Sequence, residues 1–498
     1  MVTLTRRAWL ARSAAAAAAV LVPPALRPLS ALAASDDPFW RLDATAQAAL
    51  VASGEASARE LVDAAIARIE ALNPELNAVI APAYERARER ARGPLPAGPF
   101  RGVPYLIKDL IDFAGVPNTG GSRLHEERVP DRSAPHVRRS LEAGLIPLGK
   151  SNVPEFGLLP TTESVLHGPA RNPWSLEHTP GGSSGGAAAA VAAGLVPFAH
   201  ATDGGGSIRI PASCCGLFGL KPGRGRLAPR ETDPQIDISV QHCVSRSVRD
   251  SAALFAATEY RGDDAELAPV GHVTGPARRR LRIAFSTRTS TGDAPDPEVE
   301  AAAQQAAALC ASLGHEVEEA APTVDGEAFT DAFMTVWSSG AAASVAEARA
   351  RELSPDEVLE PWTLGLAESY AAAPDDALGR ALRHFRRLER VYESFFSRFD
   401  VLLTPTLSAP PVRIGAQAPT VGFTTLYERV LDWVAYTPVH NATGNAAMSV
   451  PLGQSSDGLP IGIQFAAPQG GERTLLELAY ELEEAAPWAD RWPALALG

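Results

Sequence analysis

Two glycine clusters that carry serines place the strongest constraint on how this chain folds. They occupy residues 181–186 and 204–207, and a segment of small residues rich in alanine separates them. Glycine reaches backbone angles that residues with a Cβ resist, so both ends of this segment can turn sharply. The pattern predicts a site at which the backbone itself approaches a ligand.

Helix and strand patterns alternate along the rest of the chain. Ser57 and Glu60 form a capping box at the start of a helix, for which Asn73 is the predicted stop. A short apolar strand that carries Lys108 follows. Further helices are predicted at residues 134–143, 247–258, 297–313 and 474–484, and strands at 145–148, 215–221, 281–285, 316–317, 400–405, 448–452 and 461–465. This alternation is typical of an α/β layer fold.

Residues 328–399 depart from the alternation, because they are mostly helical in pattern and rich in alanine and arginine. They could form a helical cap or a substrate-specificity region. The chain contains no internal repeat and no long linker, so the sequence predicts a single large domain over residues 34–498.

The first 33 residues have the pattern of an export signal. Arg6 and Arg7 precede an apolar run, and Ala31 and Ala33 supply small residues at a cleavage site. The apolar run is shorter than the roughly 20 residues that span a bilayer. We therefore expect a twin-arginine signal peptide over residues 1–33 and a protein exported to the periplasm or secreted.

Charge and composition limit the partners of the chain. Its net charge of −13 argues against nucleic acid and against an anionic membrane, since both require clustered basic surface. The ten histidines include no H-E-x-x-H pattern, so we expect neither a metal nor another cofactor. The four cysteines lack C-x-x-C spacing, and we expect buried thiols, with one disulfide left open. A homodimer is also left open.

Lysine is almost absent from this sequence. Lys and Arg together number 45, yet the only lysines are Lys108, Lys150 and Lys221, all of them near the glycine clusters. Arginine stays charged in proteins, whereas a buried lysine can lose its proton and act as a base. We expect one of the three to be a base and the other two to be structural donors.

Two short motifs suggest competing functions. Residues 144–151 satisfy the P-loop pattern G-x-x-x-x-G-K-S, but the intervening residues form an apolar strand and Pro154 follows, which is the wrong context for a P-loop. Residues 181–186 fit G-x-S-x-G, the nucleophile elbow of α/β hydrolases. That motif keeps an esterase with Ser183 or Ser184 as nucleophile as an alternative.

A longer set of motifs resembles the amidase signature family over nearly the whole mature chain. In chain order these are Ile107-Lys108-Asp109, Thr162-Glu163-Ser164, Arg171-Asn172-Pro173-Trp174, Gly181-Gly182-Ser183-Ser184-Gly185-Gly186, Asp203-Gly204-Gly205-Gly206-Ser207-Ile208-Arg209 and Gly219-Leu220-Lys221-Pro222. Within the family, residues 201–222 and 441–445 look most like 6-aminohexanoate cyclic dimer hydrolases and related bacterial amidases. The resemblance implies an amidase signature fold, in which helices cover both faces of a central mixed β-sheet.

The resemblance also implies an activity, the cleavage of carboxylic amide C–N bonds through an acyl-enzyme. Carried over to this sequence, it makes Ser207 the nucleophile, Ser183 the bridging serine and Lys108 the base. Such a Ser-Ser-Lys triad needs a neutral lysine, which burial in a strand can supply.

The glycines before Ser207 are then expected to form an oxyanion hole, with the N–H groups of Gly204, Gly205 and Gly206, together with that of Ser207 itself, as donors. Gly204 stands where the family usually has Thr or Ile, which gives the loop more freedom. Supporting roles are expected for three residues that do not react: Ser184, Asp203 and Arg209.

The sequence leaves the substrate open beyond a small-molecule amide. Eight large side chains could line the substrate pocket or could belong to the core: Phe329, Phe333, Met334, Trp337, Trp362, Tyr370, Trp433 and Tyr436. An exported binding protein that keeps an inactive amidase fold is a further alternative, against which the intact Lys108, Ser183 and Ser207 argue.

Overall fold

The structure is a computed structural model that describes residues 37–227 and 237–497. The export signal predicted over residues 1–33 lies outside the described residues. Among the helices of the described part, none is long and apolar enough to cross a membrane.

The described residues form helices and strands that alternate over much of the chain. The helices are α1 Ala44–Ser53, α2 Ala58–Leu76, α3 Tyr84–Arg92, α4 Pro135–Glu142, α5 Gly185–Ala192, α6 Arg209–Cys215, α7 Val248–Thr258, α8 Pro297–Ser312, α9 Gly326–Ala350, α10 Pro355–Val358, α11 Pro361–Ala372, α12 Ala377–Phe396, α13 Phe423–Trp433, α14 Val439–Ala442, α15 Glu472–Ala485 and α16 Ala494–Leu497. The strands are β1 Val79–Pro82, β2 Pro104–Lys108, β3 Ile146–Ser151, β4 Glu163–Ser164, β5 Gly168–Pro169, β6 Phe198–Asp203, β7 Phe218–Lys221, β8 Val240–Ser245, β9 Arg282–Phe285, β10 Glu316–Glu319, β11 Val401–Pro405, β12 Ala446–Gln454 and β13 Pro460–Ala467.

The main sheet has eight strands in the order β10-β9-β11-β13-β12-β7-β8-β6. Strand β9 pairs in parallel with β10 and β11, and the other pairs are antiparallel, so the sheet is mixed. A second sheet, β1-β3-β2, lies beside it, with β2 against β6. This contact brings the end of the lysine-bearing strand next to the end of the strand that precedes the second glycine cluster.

Helices cover both faces of the main sheet. In β11 the side chains of Val401 and Leu403 join a core with α7, α8 and α15, whereas Leu402 joins another core with α12. Successive side chains of a strand point to opposite faces, so the two cores lie on opposite sides of the sheet. The predicted α/β fold with a mixed sheet between helices, in a single large domain, is confirmed.

Helix α2 begins as predicted and ends later than predicted. The capping box of Ser57 and Glu60 is present, but the helix continues through Pro74 to Leu76. Proline removes only one hydrogen bond near a helix end, which the last turn tolerates. The Asn73 side chain nevertheless contributes to the end of the helix. Its oxygen accepts the N–H groups of Ala78 and Val79, the first two residues beyond the C-cap, each at 2.8 Å.

The predicted helical content of residues 328–399 is confirmed by α9, α10, α11 and α12. These helices pack on one another around a core of their own, in which Phe329, Trp362 and Phe385 are buried. Helix α9 lies over the second glycine cluster, where the rings of Phe333 and Trp337 approach Gly205. The helical region is therefore part of the wall of the site described next.

Candidate active site

Lys108 lies at the end of β2 with its side chain completely buried. Its Nζ is within hydrogen-bond distance of three hydroxyl groups, at 2.7 Å from Ser183 Oγ, 2.7 Å from Ser184 Oγ and 2.9 Å from Thr202 Oγ1. None of these partners carries a charge. The amine is thus shielded from bulk solvent, and no carboxylate of the described residues contacts it to stabilise its protonated form.

Two effects act on the pKa of Lys108, burial and the charge of Asp203, and burial is the larger. Desolvation holds the pKa of Lys108 well below its ordinary value, and the nearby Asp203 carboxylate opposes this shift without cancelling it. A neutral amine has a lone pair that can accept a proton. The Ser184 hydroxyl donates its proton to the Thr202 carbonyl at 3.3 Å, so towards Lys108 Nζ it can act only as an acceptor. The Ser183 hydroxyl bonds to no described residue other than Lys108, so its proton is free to be donated to Lys108 Nζ.

Ser183 and Ser207 line one cavity of about 1290 Å³. Both side chains are nearly buried, with exposed fractions of 2% and 7%. Thr202 and Gly204 line the same cavity, whereas Ser184 is fully buried and does not. The structure therefore brings Lys108, Ser183 and Ser207, the predicted base, bridging serine and nucleophile, to one region. Ser184 lies beneath the cavity surface.

Asp203 and Arg209 form a buried ion pair beneath the second glycine cluster. The guanidinium donates to the carboxylate through Nε at 2.9 Å and through Nη2 at 2.8 Å. Burial alone would raise the pKa of the Asp203 carboxyl, but the Arg209 charge and its hydrogen bonds outweigh burial and hold the pKa below its ordinary value. Asp203 is therefore a permanent anion whose charge is matched locally.

The same carboxylate corrects one prediction about the oxyanion hole. The N–H of Gly206 donates to Asp203 Oδ1 at 2.8 Å, so it is not free for an oxyanion as the sequence had suggested. The N–H groups of Gly204, Gly205 and Ser207 have no hydrogen-bond partner within residues 37–227 and 237–497. These three are the donors that remain available.

The other two lysines are buried as well, in structural surroundings. Lys150 Nζ lies 3.2 Å from Asp109 Oδ1 and donates to the Ile111 carbonyl at 2.8 Å. Lys221 Nζ donates to the Pro222 carbonyl at 2.9 Å, and burial lowers the pKa of Lys221 to about 7. Neither lysine bonds to Ser183 or Ser207, whereas Lys108 bonds to Ser183. The expected division into one base and two structural donors agrees with these contacts.

The competing motifs lack their required partners in the described part of the chain. No histidine of the described residues bonds to Ser183, Ser184 or Ser207, so a Ser-His pair is missing. Gly149 and Lys150 lie inside β3, which rules out a P-loop there. No group of three His, Cys, Asp or Glu side chains in these ranges could hold a metal ion. The four cysteines are free and buried.

Most of the eight large side chains that could have lined the pocket belong to the core instead. Trp337 and Tyr370 line the cavity, whereas Phe329, Phe333 and Trp362 are buried among the helices of residues 326–396. Sequence reasoning missed Thr202, although this residue directly precedes Asp203 in a motif that was recognised.

Comparison with known proteins decides the family. The family model described as Amidase matches residues 60–476. The chain belongs to the amidase family. AmiC of Mycobacterium tuberculosis, which is named as an amidase, is 43% identical over 460 residues, which cover 91% of this chain and 96% of AmiC. The 6-aminohexanoate-cyclic-dimer hydrolase of Paenarthrobacter ureafaciens is 40% identical over 490 residues, which cover 92% of this chain and 97% of that protein.

Solved structures agree with the assignment. A 6-aminohexanoate cyclic dimer hydrolase in complex with its substrate aligns with a TM-score of 0.85 at 37% identity, covering 92% of this chain and 100% of that one. A bacterial aryl acylamidase of the amidase signature family aligns with a TM-score of 0.83 at 27% identity, covering 92% and 98%. The amidase signature fold and the resemblance stated from the motifs are confirmed, and this family member is an enzyme that hydrolyses amides.

The structural role of Lys150 can be tested by its removal. We expect Lys150→Met to lower the free energy of unfolding by about 3–5 kcal/mol, because the buried Asp109 carboxylate loses its cation. Arg59, which pairs with Asp63 at 3.3 Å on the surface, provides the matched control. Arg59→Met should cost less than about 1 kcal/mol. Urea unfolding measures both values, and equal losses would contradict the assignment.

Proposed function

We propose that this amidase hydrolyses small-molecule amides through an acyl-enzyme on Ser207, with Ser183 as proton relay and Lys108 as base. The observation that carries the proposal is the 2.7 Å contact between Lys108 Nζ and Ser183 Oγ, in a place where burial disfavours the charged lysine. The presence of Ser183 and Ser207 in one cavity supports it.

In the first half of the reaction, the Ser183 hydroxyl gives its proton to Lys108 Nζ and takes the proton of the Ser207 hydroxyl. Ser207 Oγ then forms a bond to the amide carbonyl carbon, and the carbonyl oxygen becomes an oxyanion. The free N–H groups of Gly204, Gly205 and Ser207 are placed to stabilise this charge, an effect worth about 2.7–4 kcal/mol for one donor in a comparable enzyme.

Collapse of the tetrahedral intermediate breaks the C–N bond. The proton held by Lys108 returns through Ser183 to the leaving nitrogen, which departs as a neutral amine, and the acyl group remains as an ester on Ser207. Water then attacks the ester by the same route in reverse, with its proton passing to Lys108 and back to Ser207 Oγ. No step needs a metal or a redox partner.

The cavity supports an amide of considerable size as substrate. Its volume of about 1290 Å³ exceeds the roughly 300–1,000 Å³ that is typical of small-molecule pockets. Apolar side chains such as Phe156, Leu158, Val336 and Trp337 line part of it, and charged side chains lie among the rest. We infer an extended amide whose body packs on the apolar wall, a class that includes the cyclic dimer named for the relatives.

Two single substitutions distinguish the proposed nucleophile from the esterase alternative. We expect Ser207→Ala to lower amide hydrolysis at least about 10³-fold, because it removes the attacking oxygen. Ser184→Ala should keep measurable turnover, because Ser184 bonds to Lys108 and Thr202 but does not line the cavity. Peptide mapping after fluorophosphonate treatment should find the label on Ser207. A label on Ser184, with Ser184→Ala inactive, would contradict the proposal.

The pH dependence of kcat/KM tests the base. A protonated Lys108 cannot accept a proton, so activity should rise with pH through the pKa of Lys108 and level off above it. Because burial lowers this pKa well below its ordinary value, the plateau should begin far below pH 10.5. The same rise should persist in Lys221→Met, which removes a lysine whose pKa is lowered by burial to about 7. Loss of the rise in that variant would assign it to Lys221 instead.

A further inference from the structure

Three consecutive glycines make the oxyanion loop, residues 203–207, intrinsically flexible. Glycine loses more conformational freedom on folding than any other residue, and an oxyanion hole works by having its donors in place before charge develops. The loop therefore depends on contacts from outside itself. The importance of these outside contacts rests on the proposed function, since it assumes that the loop receives the oxyanion of a Ser207 adduct.

The loop is held at its carbonyl oxygens. The Asp203 carbonyl accepts from Asn441 Nδ2 at 2.9 Å, the Gly205 carbonyl accepts from Thr437 Oγ1 at 2.6 Å, and the Gly206 carbonyl accepts from the Ile210 N–H at 2.7 Å. Two of these three tethers come from residues 437–441, more than 200 positions further along the chain. Thr437 and Asn441 are both buried, which limits the competition of water for these bonds.

A trans peptide points its C=O and N–H in opposite directions, so a fixed carbonyl also fixes the N–H of the same peptide. The bond from Asn441 to the Asp203 carbonyl therefore points the Gly204 N–H away from Asn441. The bond from the Ile210 N–H to the Gly206 carbonyl likewise points the Ser207 N–H away from Ile210. The peptide between Gly205 and Gly206 is held at both ends, by Thr437 at its oxygen and by Asp203 at its nitrogen. It therefore forms a fixed link between the free N–H groups of Gly204 and Gly205 on one side and that of Ser207 on the other.

Thr437 is itself fixed in place. Its backbone carbonyl accepts from Arg209 Nη1 at 2.9 Å, and Arg209 belongs to the ion pair beneath the loop. Gly206 approaches so closely that a Cβ there would lie 2.4 Å from Thr437 Oγ1. On the opposite side, Phe333 packs against Gly205. The loop is thus enclosed, and the Thr437 hydroxyl is the single donor to the Gly205 carbonyl among the described residues.

We propose that Thr437 is a positioning residue, whose hydroxyl holds the Gly205 carbonyl and thereby keeps the N–H donors of the oxyanion loop aimed at the reacting carbonyl. Thr437 is buried and does not line the cavity, so its role is one of positioning and not of direct contact. Its removal should weaken stabilisation of the transition state more than binding of the substrate, since the ground-state carbonyl makes less use of the donors.

The test compares variants that differ in the hydroxyl alone. We expect Thr437→Val to lower kcat for a chromogenic anilide about 10- to 100-fold, less than the full loss of an oxyanion donor, while KM changes less than about 3-fold. Thr437→Ser should restore kcat to within about 3-fold of the wild type. If Thr437→Val does not fold, Thr437→Ala against Thr437→Ser makes the same comparison.

The matched control is Thr443→Val. The Thr443 hydroxyl is also buried and also donates to a backbone carbonyl, that of Val439 at 2.8 Å, but it does not contact the loop. Thr443→Val should leave kcat unchanged even if its melting temperature falls. As a second readout, an alkyl boronic acid, which forms an anionic tetrahedral adduct with serine, should bind Thr437→Val more weakly by a factor close to the loss in kcat.

The outcomes separate this inference from the proposed function. If Ser207→Ala is inactive and Thr437→Val keeps kcat and boronic acid affinity, the positioning role is wrong and the proposed function stands. If Thr437→Val and Thr443→Val lose kcat equally, Thr437 is only structural and the inference is also overturned. If Ser207→Ala remains active, the proposed function is wrong, and the inference falls with it.

Discussion

The burial of one amine without a contacting carboxylate is the constraint on which this site depends. Lys108 and Lys150 lie on the neighbouring strands β2 and β3, and both are completely buried. Lys150 has Asp109 within 3.2 Å and serves as half of an ion pair. The described partners of Lys108 Nζ are all uncharged: the hydroxyls of Ser183, Ser184 and Thr202, and the Thr202 carbonyl at 3.5 Å. This difference in partners, at equal burial, is the reason why we propose Lys150 as a structural cation and Lys108 as the base.

The surrounding charges preserve this difference. The carboxylate whose charge acts on Lys108 is that of Asp203, and its attraction raises the pKa of the amine. Asp203 is engaged instead by Arg209, whose guanidinium also contacts Asn441 at 2.7 Å. The buried ion pair thus supports the loop before Ser207 and takes up negative charge that would otherwise favour a protonated Lys108. One network serves both the base and the oxyanion loop, which explains why they meet where β2 and β6 end.

Much of this was predictable from composition and motif. Three lysines among 45 basic residues, together with two serine-bearing glycine clusters, limited the candidates for base and nucleophile. The resemblance to the amidase signature family was needed to select Lys108, Ser183 and Ser207 among them. Helix α5 was not predicted, because its alanines and glycines are buried on every side and give no amphipathic period. Thr437 could not be found from the sequence, since its partner Gly205 lies 232 positions away and a lone threonine carries no pattern. The bond between Gly206 and Asp203 was missed because a side chain that accepts a backbone N–H leaves no trace in a motif.

The protonation state of Lys108 at neutral pH is the central claim, and the composition of the chain makes it directly measurable. Selective ¹³Cε labelling of lysine gives only three signals, from Lys108, Lys150 and Lys221, which Lys→Met variants assign one at a time. We expect the Lys108 signal to have the chemical shift of a neutral amine at pH 7 and to titrate far below the ordinary lysine pKa of about 10.4. A Lys108 signal that remains that of an ammonium group up to pH values near 10 would contradict the account.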